Sequence, residues 1–187
     1  MPTALEIAMD YPNAARKNRL KAATWILNHR GCLGELLQIV LTKDSKLAEK
    51  AAWALEFSFL EDNHLIDGNI DYFFSNLHKP TRDPIARPLS HICEKLCQGF
   101  YIKRDPRLQQ VITKTHREKL VEVAFDWLIG DYRVACKVRA MTCLHLLAGE
   151  INWIGPELSI ILEQNLPRST PGYRSRASKI LAQIRRQ

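Results

Sequence analysis

The chain has 187 residues, of which 46% are hydrophobic and 25% charged, and its formal net charge at pH 7 is +7. This length predicts one domain whose core needs no disulfide or metal for stability. No stretch approaches the roughly 20 consecutive apolar residues of a membrane span. Residues 1–17 contain no apolar segment of the secretory type, and the five cysteines lie within apolar runs, so we expect free thiols and a cytoplasmic location.

Apolar residues recur at helical spacing along most of the chain, and strand-type alternation is hard to find. In the first part, the predicted helices are 3–10, 13–29, 32–41, 46–60 and 61–78. Asn13 is the predicted cap of the second of these helices, Gly31 its predicted end, and Asp44 with Ser45 the predicted start of the fourth.

Further along, a helix is predicted to begin with Asp83 as its N-cap and Pro84 in its first turn. Gly99 predicts that this helix ends near Gln98. Phe100–Thr115 is rich in bases and is predicted to be irregular. The remaining predicted helices are 116–129, 131–150, 153–167 and 169–187.

The helix predicted at Asp131–Glu150 has apolar residues on every face between Val134 and Ala148. A helix of this kind is buried on several sides. Asp131 is its predicted N-cap, and Gly149 its predicted left-handed end.

A basic residue leads similar apolar segments along the chain: Lys50 before AAWAL, Arg87 before PLSHI, Arg139 before AMTCL and Arg176 before ASKIL. Lys50 and Arg87 are 37 residues apart, as are Arg139 and Arg176, whereas Arg87 and Arg139 are 52 apart. The longer interval matches the basic stretch at 100–115, which we interpret as an insertion.

These segments resemble the second helices of HEAT (armadillo-type) repeats, whose period is about 40–47 residues. The resemblance implies an all-α fold, a right-handed α-α superhelix of the HEAT/ARM-like solenoid type with about five helix pairs, covering residues 1–187 as a single domain. A helix pair cannot bury its own apolar face, so neighbouring pairs are expected to stack.

In such arrays the second helices line the concave side, which makes their recurring bases candidates for ligand binding. Two further basic residues, Lys137 and Arg174, are also 37 residues apart. Each lies two positions before one of the residues just described, Arg139 or Arg176. The six candidates are Lys50, Arg87, Lys137, Arg139, Arg174 and Arg176. A basic ladder of this kind binds phosphates. Alternatively, each base pairs with a neighbouring carboxylate, with Asp44, Asp83 and Asp131 as the available partners. We favour that structural role for Arg139 and Arg176, and expect Lys137 and Arg174 to be freer to face a ligand.

No nucleotide-binding, serine-hydrolase or zinc-protease motif is present. His91, Cys93 and Cys97 have a spacing that a zinc ion could use, but no second ligand pair accompanies them, so core cysteines are the favoured interpretation. We expect no cofactor and no metal.

The sequence therefore favours a non-catalytic binding or scaffolding module whose concave face takes a protein partner, with no membrane association. The alternative is a nucleic-acid-binding protein related to the HEAT-like alkylpurine DNA glycosylases. That resemblance implies concave Trp, Asp and Arg residues, and the available residues of these types are Trp53, Trp127, Asp126 and Arg139.

Overall fold

A computed structural model describes residues 1–186, and this part of the chain is all-helical, with 77% helix and no strand. Its α-helices are α1 Ala4–Met9, α2 Arg16–Asn28, α3 Leu33–Thr42, α4 Lys46–Glu61, α5 Ile70–Asn76, α6 Asp83–Cys97, α7 Pro106–Val111, α8 Lys114–Ile129, α9 Val134–Leu147, α10 Ile154–Asn165 and α11 Pro171–Ile184. Gln187, the predicted end of the last helix, lies outside the described residues. The helices form two compact units, Met1–Ile92 and Cys93–Gln187.

In the first unit, α4 is the central helix, and α1, α2 and α3 all pack against it. Its buried face is mostly alanine, with Ala48, Ala51 and Ala52 fully inaccessible, and such small side chains allow neighbouring helices to approach closely. Ser45 begins this helix as predicted, because its side chain accepts a hydrogen bond from Ala48 N at 3.1 Å. The helix before α4 in the chain, α3, also packs against α5.

In the second unit, α9 is the central helix and packs against α8, α10 and α11. Its middle is buried as predicted, with Ala140, Met141 and Leu144 inaccessible to solvent. Its predicted ends are wrong. The N-cap is Arg133, whose side chain does not cap the helix, rather than Asp131. Gly149 does not adopt a left-handed conformation, because the chain continues in helical turns that bring the Glu150 and Ile151 amides to Leu147 O.

The stretch predicted to be irregular is largely helical. A π-helix, Gln98–Ile102, follows α6, and α7 begins where the Asp105 side chain accepts hydrogen bonds from the amides of Arg107 and Leu108. Gly99 does not end a helix as predicted; it lies buried within the π-helix, where a Cβ would overlap the Leu108 side chain. Glycine at this position therefore allows the Leu108 side chain to pack closely against the π-helix.

Two predicted boundaries in the first unit also differ. Asn13 is not the cap of α2, because its side chain accepts a hydrogen bond from Ala15 N, and Ala15 itself is the N-cap. Gly31 does not end α2; that helix stops at Asn28, and Gly31 lies in the following 3-10 turn. Within residues 1–186, no helix has the length and apolar character that crossing a membrane requires.

Candidate functional site

Lys50, the first residue of the predicted basic ladder, forms its contacts within the first unit. Its Nζ contacts Asp10 Oδ1 at 2.8 Å and lies 5.7 Å from the centre of the Tyr11 ring. These contacts hold the end of α1 to α4. Asp44, one of the predicted carboxylate partners, pairs instead with Arg82, whose Nη1 lies 2.8 Å from Asp44 Oδ1.

The other ladder positions have different environments. Arg87 and Arg139 are half-buried, and both take part in interactions within the folded chain. Arg174 is exposed, and its Nη2 donates a hydrogen bond to Ser169 O at 3.1 Å, across the start of α11. Arg176 is half-buried on the same helix, whereas Lys137 lines a groove at the start of α9.

A groove with a volume of about 810 Å³ lies in the second unit. One wall is the solvent-facing side of α8, and the other is the turn between α9 and α10. Its apolar lining includes Val121, Phe125, Ile151 and Trp153. We call it the aromatic groove.

A stacked pair of aromatic rings forms the apolar centre of this groove. The Phe125 and Trp153 rings lie 5.6 Å apart between centroids and are tilted by only 16°. Trp153 stands at the N-cap of α10 and is 56% exposed. A large aromatic side chain with this much exposure presents an apolar, electron-rich face to any molecule that enters the groove.

Carboxylates line the rim of the aromatic groove. Glu150 is already paired, since Arg117 donates to it from Nε at 2.9 Å and from Nη2 at 2.7 Å. The Tyr101 hydroxyl donates to the same carboxylate at 2.9 Å. The hydrogen bonds from Arg117, opposed by partial burial, hold the pKa of Glu150 below its usual value. This network fastens the turn that carries Trp153 to α8, so the wall of the groove is fixed in place.

The remaining rim carboxylates are more open. Glu118 faces Lys114 at 3.8 Å, which is a weak contact between two exposed side chains. Glu122 is exposed and forms no ion pair within residues 1–186. The aromatic groove therefore combines a flat aromatic platform with one unpaired negative charge.

The four cysteines of the second unit influence one another, which the sequence did not reveal. Cys93, Cys97, Cys136 and Cys143 are all buried. A hydrogen bond with the Cys97 thiol, together with burial, raises the pKa of Cys143, and burial raises that of Cys93. The Cys93 and Cys143 thiols are therefore neutral, and a neutral thiol is a poor nucleophile and a poor metal ligand.

The predicted metal alternative gains no support from the arrangement of these residues. The His91 ring binds Glu56 Oε1 through Nδ1 at 2.7 Å. Among residues 1–186, no group of three or more His, Cys, Asp or Glu side chains is arranged to hold a metal ion.

Trp127, one of the residues considered for a glycosylase site, is only 1% exposed on the buried face of α8. It therefore does not line an open pocket. Asp126 points to solvent on the same helix. The indole of Trp53 donates a hydrogen bond to Pro84 O at 3.1 Å, in the first unit.

The aromatic groove itself was not predicted from the sequence. The sequence pattern indicates only that a helix begins at Trp153. Its stacking partner, Phe125, lies in a different helix. A helical pattern identifies the buried face of α8, but it gives no information about which exposed residues a later turn brings alongside. No protein family, curated protein or solved structure matches this chain.

Proposed function

We propose that this chain is a non-catalytic binding module of the HEAT-like type, whose helix pairs stack into a right-handed superhelix, and that its partner is a protein. A direct helix contact supports this architecture. In the second unit α9 packs on α11. These two helices contain the segments that follow Arg139 and Arg176, so they are second helices of the predicted repeats, and side-by-side packing of second helices is what stacking of pairs requires.

The aromatic groove is the proposed binding site, and a basic segment of the partner is the proposed ligand. The observation that carries this proposal is the exposed Trp153 ring stacked on Phe125 beside the unpaired Glu122. A guanidinium or ammonium group over the indole face gains a cation–π interaction, and the nearby carboxylate neutralises its charge.

The magnitude of these contacts favours a segment of chain rather than an isolated side chain. A cation–π contact contributes about 0.5–2 kcal/mol, and an exposed ion pair contributes about 0.2–1 kcal/mol. Together they fall short of the roughly 4 kcal/mol of a millimolar complex. The apolar lining at Val121 and Ile151 provides the further contact that a longer peptide would use.

Fluorescence anisotropy with two labelled peptides tests the proposal. One peptide alternates Arg and Ser, and the other alternates Glu and Ser. Wild-type protein should bind the Arg peptide more tightly, and Trp153→Ala should weaken that binding by about 3- to 30-fold, in line with the loss of a cation–π contact. Glu122→Gln should weaken it less. Ile160→Ala serves as the control, because Ile160 is half exposed on α10 and does not line the groove.

Two results would count against this function. One is equal binding of the two peptides to the wild-type protein. The other is unchanged binding of the Arg peptide by Trp153→Ala. Salt-sensitive retention of duplex or single-stranded DNA at low ionic strength, with no peptide binding, would favour the nucleic-acid alternative.

A further inference from the structure

A second groove in the same unit has the character of an anion site. It has a volume of about 470 Å³ and lies where α9 and α11 begin and where α8 and α10 end. Its polar lining includes Lys137, Arg168, Thr170 and Tyr173. We call it the basic groove.

The charges around the basic groove are all of one sign. None of the described residues that line it is acidic. Neither Lys137 nor Arg168 forms an ion pair within residues 1–186, so both charges are open to a ligand. The positive end of α9 adds to them, because the side chain of its N-cap residue, Arg133, does not cap the helix and so provides no acceptor for the first-turn amides.

An independent observation inside the basic groove points to a ligand. Tyr173 lines it and is only 6% exposed, and its hydroxyl has no hydrogen-bond partner. Burial raises the pKa of Tyr173, so the hydroxyl keeps its proton and is a donor without an acceptor. The nearby Asn165 amide opposes this pKa shift as a donor, and one of its N–H groups donates to Ile161 O at 2.9 Å, so it provides no acceptor for the hydroxyl proton. Buried hydroxyls without partners are rare because they lose their hydration without compensation.

We propose that the basic groove binds the phosphate group of a small phosphomonoester. A phosphate oxygen would accept the hydrogen bond of the Tyr173 hydroxyl, and Lys137 and Arg168 would neutralise the charge. This site is separate from the aromatic groove, and the proposal does not depend on the function proposed there.

The surroundings favour a small molecule over a nucleic-acid strand. A strand needs a row of cations along its backbone, yet Arg174, the predicted ladder partner of Lys137, is not among the lining residues of the basic groove and instead bonds Ser169 O. Leu128, Val134 and Ile161 line the rest of the groove and offer apolar contact to the organic part of a phosphomonoester.

Isothermal titration of the full chain with phenyl phosphate and with inorganic phosphate, at constant ionic strength in a buffer without an anionic group, such as Tris, tests this proposal. Phenyl phosphate should bind more tightly than inorganic phosphate. Lys137→Gln should weaken phenyl phosphate binding by about tenfold, as expected for loss of one charged hydrogen bond. Tyr173→Phe should weaken it by a similar factor and should not lower the thermal midpoint of the unliganded protein, because the hydroxyl makes no bond there.

Lys179→Gln is the matched control, since Lys179 is an exposed lysine on α11 that does not line the basic groove. Its binding should equal that of the wild type. The proposal is overturned if wild-type protein binds neither phosphate compound, or if Lys137→Gln and Tyr173→Phe bind as tightly as Lys179→Gln. Binding of a short oligonucleotide that phenyl phosphate does not displace would also overturn it.

Discussion

The network around Glu150 allows a quantitative test of how the aromatic groove is held together. We consider Glu150→Gln, which keeps the size of the side chain and removes its charge. In the native protein, Arg117 donates two hydrogen bonds to this carboxylate and Tyr101 donates one, at 2.7–2.9 Å. Glutamine retains one acceptor oxygen and presents an amide that repels the guanidinium, so the two-point contact with Arg117 is lost.

The size of the effect follows from the exposure of the pair. The Arg117 side chain is 15% exposed and that of Glu150 is 31% exposed, which lies between a surface pair and a buried one. Exposed pairs contribute about 0.2–1 kcal/mol, and breaking a buried pair costs about 3–5 kcal/mol. We therefore expect Glu150→Gln to lower the free energy of unfolding of the second unit by about 1.5 kcal/mol.

The same contribution depends on pH, and its sign is determined by the pKa of Glu150. Hydrogen bonds from Arg117 hold the folded-state pKa below the ordinary value of 4.5. The stabilisation is therefore complete above that value and is lost as the pH falls through the folded-state pKa. The difference in stability between wild type and Glu150→Gln should be largest near neutral pH and should shrink at lower pH.

Urea unfolding followed by tryptophan fluorescence measures this difference, since Trp127 and Trp153 report on the second unit. Glu157→Gln is the control, because it removes the same charge from an exposed position on α10 that has no ion pair within residues 1–186. A difference at neutral pH below about 0.5 kcal/mol, which is typical of exposed pairs, would refute the reasoning. So would a difference that stays constant as the pH falls from neutral through the folded-state pKa of Glu150, because the contribution is lost over that range.

Three further changes test the fold. Arg82→Ala should cost the first unit about 2–3 kcal/mol, because Glu49 is only 5% exposed and loses its principal cation; a urea midpoint equal to wild type would contradict this. Thr170→Ala should cost about 1 kcal/mol by removing the side-chain cap of α11, as measured by thermal unfolding. In the native protein only Cys32 should react with a thiol reagent, and slowly, because burial raises its pKa while the other four cysteines are inaccessible; Cys32→Ser should abolish the reaction, and a second reactive thiol would show that the core opens.

The sequence alone determined that the described chain is helical and that the middle of α9 is buried. That information is local, because an apolar residue every three or four positions makes a continuous stripe wherever the helix packs. The starts at Ser45 and Thr170 could be predicted for the same reason, since a cap is a hydrogen bond between residues three apart. The actual end of α9, before Gly149, could not be predicted in this way. The amides that follow the helix donate to Leu147 O in a turn whose conformation depends on tertiary packing.

Only the tertiary structure decided where ligand-facing groups come together. The sequence makes Lys50 and Lys137 equally candidates for ligand binding, yet Lys50 is paired with Asp10 and Lys137 is open in a groove. The stacking of Phe125 on Trp153 and the buried, unpartnered hydroxyl of Tyr173 have no counterpart in any local pattern. Both arise where residues distant along the chain meet, and a periodicity along one helix contains no information about what a different helix brings beside it.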